Sequence, residues 1–398
     1  MKVKKDWEIK KLGELTLDKM SYGTSSPSCE YDGETRYIRI TDINDKGELN
    51  KDFVSPISYE EKHVLQDGDI VFARTGATVG KAYCYHSSDE KYVYAGYLIR
   101  LRPNRKIVLP DYIFYYTKSK NYLDFISASQ VAAAQPNVNA EKYSNLEIPL
   151  PPLEEQKRIV KILDEKFAQL ETIKTNAQTN LQNAKDLFQS QLTKAFSNTT
   201  WEKKRLFEIC QNIVDCPHTT PKKSVVPTDY PCIRTSELKN GEIDWTTMQY
   251  LEKEEYLKRI TSLEPKENDI VYGREGTFGD AVLLPNTHHF SLGQRTMLLR
   301  PNSDIINPKF LLKAIISPYV YKQALEKNNG CGVPHVNVAD VKNFIIPVPS
   351  AEIQKRIVKE LDTLSEKVRQ LQEIYTKQIA DCDELKQSLL QKAFEGAL

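Results

Sequence analysis

Two short loops carry the residues best suited to touch a polyanion. Arg74-Thr75-Gly76-Ala77-Thr78-Val79-Gly80-Lys81 follows the strand-like run Asp69-Ile70-Val71-Phe72-Ala73, and Arg274-Glu275-Gly276-Thr277-Phe278-Gly279-Asp280 follows Asp269-Ile270-Val271. The first looks like a phosphate-binding loop, which needs four residues between its glycines and a Ser or Thr after the lysine to serve magnesium. Here one residue is missing between Gly76 and Gly80, Ala82 follows Lys81, and the second copy replaces the lysine with Asp280. Nucleotide hydrolysis is therefore not expected. What survives in both copies is a strand, then Arg-x-Gly, then a glycine-closed turn. An arginine beside glycine-permitted backbone can approach a DNA groove closely, for a phosphate or a guanine edge. The alternative is a hairpin whose arginine pairs with an acid across the sheet.

Other polar residues suggest binding rather than catalysis. Pro136-x-Val138-Asn139 and Pro334-x-Val336-Asn337 each place an asparagine where it caps a short helical turn. The loops before them, 127–135 ending in Gln135 and 328–332, keep their place and change their content, as a specificity element would. None of the six histidines stands in a triad or metal-ligand spacing, and no Gly-x-Gly-x-x-Gly dinucleotide fingerprint occurs. The seven cysteines are scattered and odd in number, which fits reduced thiols. Cys210, Cys216, His218 and Cys232 lack Cys-x-x-Cys spacing, so no metal is expected.

The elements that must hold these loops are themselves duplicated. Gln156-Lys157-Arg158-Ile159-Val160 returns as Gln354-Lys355-Arg356-Ile357-Val358, 198 residues later (354 against 156). Ile148-Pro149 returns as Ile346-Pro347, Leu192-x-Lys194-Ala195-Phe196 as Leu390-x-Lys392-Ala393-Phe394, and Trp7-Glu8 as Trp201-Glu202. Each half reads as a mixed α/β globule followed by a charged, periodic tail. Strand composition marks 37–40, 69–74 and 96–101, and in the second half 232–235, 269–274 and 296–300. A helix is predicted over 111–122 and over 308–316, and the prolines at 149, 151, 152, 347 and 349 are expected to end strands. Val160, Leu163, Phe167, Leu170, Ala177, Leu181, Ala184 and Phe188 form a heptad stripe broken at Lys174, and Leu361, Leu364, Val368, Leu371, Tyr375, Cys382, Leu385 and Leu389 form another, broken at Gln378. The fold class is α+β: two globules, 1–152 and 198–350, separated by an antiparallel pair of long coiled-coil helices, 153–197 and 351–398, with a pseudo-twofold internal repeat. At 1.5 Å per residue such a helix spans roughly 65 Å.

Composition narrows the class further. With 27% charged and 40% hydrophobic residues, the chain reads as a soluble globular protein. It has no run of 18 apolar residues and no apolar core at its N-terminus, so a cytoplasmic protein without membrane contact is expected. Lys and Arg number 55 against 54 Asp and Glu, so nucleic-acid binding would rest on local basic faces and on partners.

The ordered duplication of Glu154-Glu155-Gln156-Lys157-Arg158-Ile159-Val160, the Ile-Pro-x-Pro exits, Trp7-x-x-x-x-Leu12-Gly13-Glu14 and Asp69-Ile70-Val71 resembles the specificity (S) subunit of type I restriction-modification enzymes over essentially the whole chain. The resemblance implies a non-catalytic subunit with two target-recognition domains, each reading half of a gapped site in double-stranded DNA. It also implies that the helices space the half-sites and dock two methyltransferase subunits, with restriction subunits joining that core. S-adenosylmethionine, ATP and Mg2+ would sit on those partners, and no cofactor on this chain. The DNA-contact candidates are Arg39, Arg74, Thr75, Gly76, Lys81 and Gln135 in the first half, and Arg234, Arg274, Gly276 and Thr277 in the second. Gln156, Arg158, Gln354 and Arg356 are the candidates for partner contact. Two competing readings are a two-headed, protein-binding coiled-coil adaptor and a stand-alone methyltransferase or nuclease. Missing cofactor and metal motifs count against the second.

Overall fold

The computed structural model describes residues 3–87, 90–131, 137–239, 241–276, 279–327 and 335–398. The chain divides into two compact units, Met1–Ala177 with Lys377–Leu398, and Gln178–Thr376. The division cuts both long helices, so the limits read from the sequence at 152, 197 and 350 bound elements, whereas packing groups them differently.

Each unit is built on a four-stranded antiparallel sheet. In the first unit the order is Ser21–Tyr22, Leu98–Leu101, Ile70–Ala73, Ala82–Cys84, and in the second Cys210–Asp215, Thr296–Pro301, Ile270–Gly273, Ala281–Leu283. Central strands that are apolar throughout need cover on both faces, because successive side chains point to opposite sides. Ile70 and Phe72 enter the core that includes Tyr112, Tyr116 and Tyr143, while Val71 and Ala73 enter a second core with Ile38 and Tyr94. In the second unit Ile270 and Tyr272 face Phe310 and Phe344, and Val271 faces Phe290. Ala73 lies opposite Leu98 and Gly273 opposite Thr296; Tyr22 lies opposite Ile99 and Asp215 opposite Met297. By register, Tyr22 and Asp215 hold equivalent places, and so do Tyr97 and Arg295, one residue before Leu98 and Thr296.

A two-stranded pair closes each globule. Glu8–Lys11 pairs with Glu147–Leu150, and Glu202–Arg205 with Ile345–Val348. Pro149 and Pro347 lie inside these strands instead of ending them. A strand with only one neighbour has an open edge, where a residue lacking an N–H is tolerated. The helix predicted over 111–122 is also corrected: it is two helices, Pro110–Tyr116 and Lys120–Val131. At the break the buried Thr117 hydroxyl donates to the Phe114 carbonyl at 2.7 Å, and Ser119 Oγ accepts from Tyr122 N at 3.4 Å. Such hydroxyls compete with the helical backbone for its own partners.

The tails form the helices Leu153–Phe196 and Ala351–Glu395. Their stripes are buried or half-buried with one exception: Leu385 is 49% exposed. Lys386 turns inward beside it, its ammonium 4.7 Å from the Phe167 ring centre. Within the first unit the two helices run antiparallel: Arg158 donates to the Leu398 carbonyl at 2.8 Å, and Lys174 pairs with Asp383 at 2.6 Å. The repeated Lys-Ala-Phe ends are anchors. Phe394 packs at 5.2 and 5.0 Å from the Tyr112 and Tyr116 rings in the first unit, and Phe196 at 5.3 Å from Phe310 in the second.

Candidate nucleic-acid interface

The Arg-x-Gly loop leaves a central strand in each unit and folds back at once. Gly80 N donates to the Ala73 carbonyl at 3.0 Å, and Gly279 N to the Gly273 carbonyl at 3.1 Å. Gly76 and Gly276 hold φ of +70° and +71°, and a Cβ added at either would meet nothing within 4 Å among the described residues. Glycine is needed there for its left-handed backbone, and the tip is open for close approach. Gly80 and Gly279 are left-handed too, but packed against Ile126 and Tyr321 respectively.

Motifs that are separate in the sequence meet in the structure. Thr75 bridges to Asn137 and Val138 N donates to the Arg74 carbonyl at 3.0 Å; Glu275 bridges to His335 and Val336 N donates to the Arg274 carbonyl at 2.9 Å. Each unit thus joins its Arg-x-Gly loop and its Pro-x-Val-Asn segment into one edge. Asn139 caps the helix Ala140–Ser144, accepting from Lys142 N at 2.9 Å. Asn337 precedes the helix Val338–Lys342 without a side-chain cap bond.

The two edges share a frame and differ in chemistry. In the first unit Arg74 lies over the Tyr22 ring at 4.8 Å, and its buried Nε and the buried Asn137 Oδ1 have no hydrogen-bond partner among the described residues. In the second, Asp215 takes the place of Tyr22 and grips Arg274 with both oxygens, Nε to Oδ1 at 3.0 Å and Nη2 to Oδ2 at 3.2 Å. Glu275 Oε1 accepts from Arg274 Nη1 at 3.1 Å, so three guanidinium nitrogens are engaged. Asp215 also faces His218 at 3.3 Å. The cross-sheet ion pair weighed as an alternative is realised in this half. Arg295, which the sequence did not single out, stands on the same edge with its Nε 3.2 Å from Glu275 Oε2.

The remaining candidates are held in different ways. Arg39 pairs with the buried Asp42 at 2.9 Å and with Asp52 at 2.8 Å, and Arg234 with the buried Glu237 at 2.5 Å. Bonding to Asp42 pushes the Arg39 guanidinium further up from its ordinary value. Lys81 pairs with Asp45 at 2.9 Å, facing a groove of about 910 Å³ in the first unit that Lys118 and Lys386 also line. Burial, with Lys386 nearby, brings Lys118 down to about 8. Gln135 and Thr277 lie outside the described residues.

Partner contact through Gln156 and Gln354 is corrected, because both are buried ties. The Gln156 amide accepts from Leu109 N at 2.9 Å and donates to the Ile107 and Pro151 carbonyls at 3.0 and 2.8 Å. Gln354 repeats this with Asn307 N, Ile305 and Pro349. Every polar group of each amide is drawn into its own unit, leaving nothing to offer a partner. Arg158 and Arg356 remain on the surface, at 47% and 69% exposure. Cys84, His86 and Asp111 bring ligand atoms within 4.8 Å of one another, with Cys84 buried, Asp111 half-buried and His86 exposed. Among the described residues no helix is long and apolar enough to cross a membrane.

The family described as "Type I restriction modification DNA specificity domain" matches residues 4–181 and again 198–378. The chain is 24% identical to the type I restriction enzyme MjaVIII specificity subunit of Methanocaldococcus jannaschii, covering all of this chain and 94% of the relative. It is 25% identical to the EcoKI specificity subunit of Escherichia coli, covering 87% of this chain and 78% of that one. The crystal structure of the HsdS subunit from Thermoanaerobacter tengcongensis shares the fold with a TM-score of 0.63 at 21% identity, covering 100% of this chain and 99% of that one. A chain from a structural study of type I R-M complex assembly shares it at 0.79, also at 21% identity and with full coverage of both chains.

Proposed function

This chain belongs to the type I restriction modification DNA specificity family, and from that premise we propose that it is the DNA-recognition subunit of a type I restriction-modification complex. Each unit reads one half of a gapped, double-stranded site. The observation that carries this reading is the edge built twice, where an Arg-x-Gly loop and a Pro-x-Val-Asn segment join beside an open glycine tip. The same frame bears Tyr22, Arg74 and Thr75 in one unit and Asp215, Arg274 and Glu275 in the other, so the half-sites differ in sequence. One edge can discriminate each base pair by about 1–3 kcal/mol, and two edges multiply the selectivity.

The chain itself transfers no methyl group and cuts no DNA. Two methyltransferase subunits supply S-adenosylmethionine, and restriction subunits supply ATP and Mg2+. Arg158 and Arg356, exposed on the long helices, are offered to the methyltransferase subunits. The complex works in the cytoplasm, and this chain, with a formal net charge of +1, leaves part of the phosphate contacts to those partners. A methylation map of host DNA, made with the methyltransferase subunit expressed with and without this chain, tests the reading. A gapped motif that appears only with the chain is the expected result. An intact, active complex that marks no gapped motif would overturn it.

A further inference from the structure

Arginine is the side chain whose fork matches the O6 and N7 acceptors of guanine, but it reads a base only if the fork is free and held in one direction. In the first unit Arg74 meets the first condition. The one described contact of its guanidinium is the Tyr22 ring, and no hydrogen bond or ion pair engages that guanidinium among the described residues. Arg274, its counterpart, fails. Asp215 and Glu275 hold three of its nitrogens, and the side chain is only 10% exposed.

Arg295 meets both conditions. Its side chain is 55% exposed, and the one described contact of its guanidinium is Nε to Glu275 Oε2 at 3.2 Å. No hydrogen bond of Nη1 or Nη2 is found among the described residues, so both remain available as donors. Glu275 is itself fixed from behind by Arg274, and Arg274 by Asp215, so charges alternate from the sheet outward to the exposed tip. The backbone is fixed as well. Arg295 holds φ of +69°, a left-handed conformation a long side chain rarely adopts unless its surroundings impose it. Those surroundings are visible: the Arg295 carbonyl accepts from Arg274 N at 3.0 Å, Gln294 donates to the His218 carbonyl at 3.0 Å, and Thr296 Oγ1 donates to the Gly293 carbonyl at 2.8 Å.

Resting on the DNA-recognition reading, we infer that the base-reading arginine of the second unit is Arg295, with Glu275 and Arg274 as positioning residues, and that its target is a guanine read through the major groove. The reading arginine has changed place between the two halves: it leaves the central strand in the first and sits on the neighbouring turn in the second.

The test maps methylation by the full complex of this chain with its methyltransferase subunit, for the wild type, Arg295→Gly and Arg295→Lys. Glycine keeps the left-handed turn without the fork, and lysine keeps the charge without it. Both variants are expected to relax one guanine-containing base pair in a single half-site, with discrimination there falling roughly 5- to 150-fold. The other half-site should stay as it is. An unchanged motif in Arg295→Gly overturns the inference. So does an even loss at all sites that Arg295→Lys restores, the behaviour of a phosphate contact. No gapped motif with the wild-type chain in an active complex overturns the recognition reading itself, and this inference with it.

Discussion

Ion-pair partners, more than residue type, decide what each arginine on these edges can do. Arg74 and Arg274 follow equivalent strands, yet one rests on Tyr22 and the other is clasped by Asp215. Arg74→Ala should therefore relax specificity in the half-site opposite to the one Arg295 governs, by about 1–3 kcal/mol at one position. Methylation sequencing would show it, and loss in both half-sites together would argue against separate readers. A second outcome concerns Lys118, half-buried on the wall of the groove with its ammonium 4.6 Å from the Phe114 ring centre. Its pKa of about 8 in the folded chain lies below the ordinary value of 10.5, so between those values the unfolded chain binds the extra proton. The penalty of burying its charge is then full below pH 8 and relieved as pH rises towards 10.5. Lys118→Met should raise the Tm at pH 7, by an amount equivalent to about 1–3 kcal/mol, and the gain should shrink at pH 9 to 10. A gain that does not depend on pH would assign the effect to packing alone.

At the scale of elements, the ends of the long helices carry more weight than their middles. Gln156 and Gln354 tie each helix start to its own globule, and Phe394 and Phe196 tie each helix end to aromatic cores. Gln156→Ala would orphan Leu109 N and the Ile107 and Pro151 carbonyls, costing about 1–3 kcal/mol by the usual penalty for unpaired buried groups. Phe394→Ala should cost about 3–5 kcal/mol. Chemical denaturation measures both. Arg356→Ala, by contrast, should leave stability within about 0.5 kcal/mol and weaken association with the methyltransferase subunit in a pull-down or titration. Normal association would remove Arg356 from the docking surface.

For the molecule as a whole, each long helix passes unbroken through the limit between units, at Ala177 in one and Thr376 in the other. A matched insertion of seven residues into both helices, one of them within 176–186, keeps the heptad stripe and adds about 10 Å of helix. That length is close to three base pairs of duplex at about 3.4 Å each. The gap in the methylated motif should lengthen accordingly; an unchanged gap would sink the idea that helix length sets the spacing.

Much of this architecture was legible from the sequence because it is local or periodic. The heptad stripes, the helix cap at Asn139, the glycines that close the loops and the duplication itself all follow from residues near one another or at fixed intervals. Local pattern misjudged Leu385, Pro149, Pro347 and the continuity of 111–122, where packing or an open strand edge overrode propensity. The identical Gln-Lys-Arg-Ile-Val strings read as a surface signature, yet their glutamines are interior. The candidate edges were invisible for a related reason. Arg274 meets Asp215, 59 residues earlier and on the far side of an intervening strand, and Arg295 meets Glu275, 20 residues earlier, in a register no short window contains. A sequence shows which groups carry charge; only the folded sheet decides which charges cancel and which remain to meet DNA.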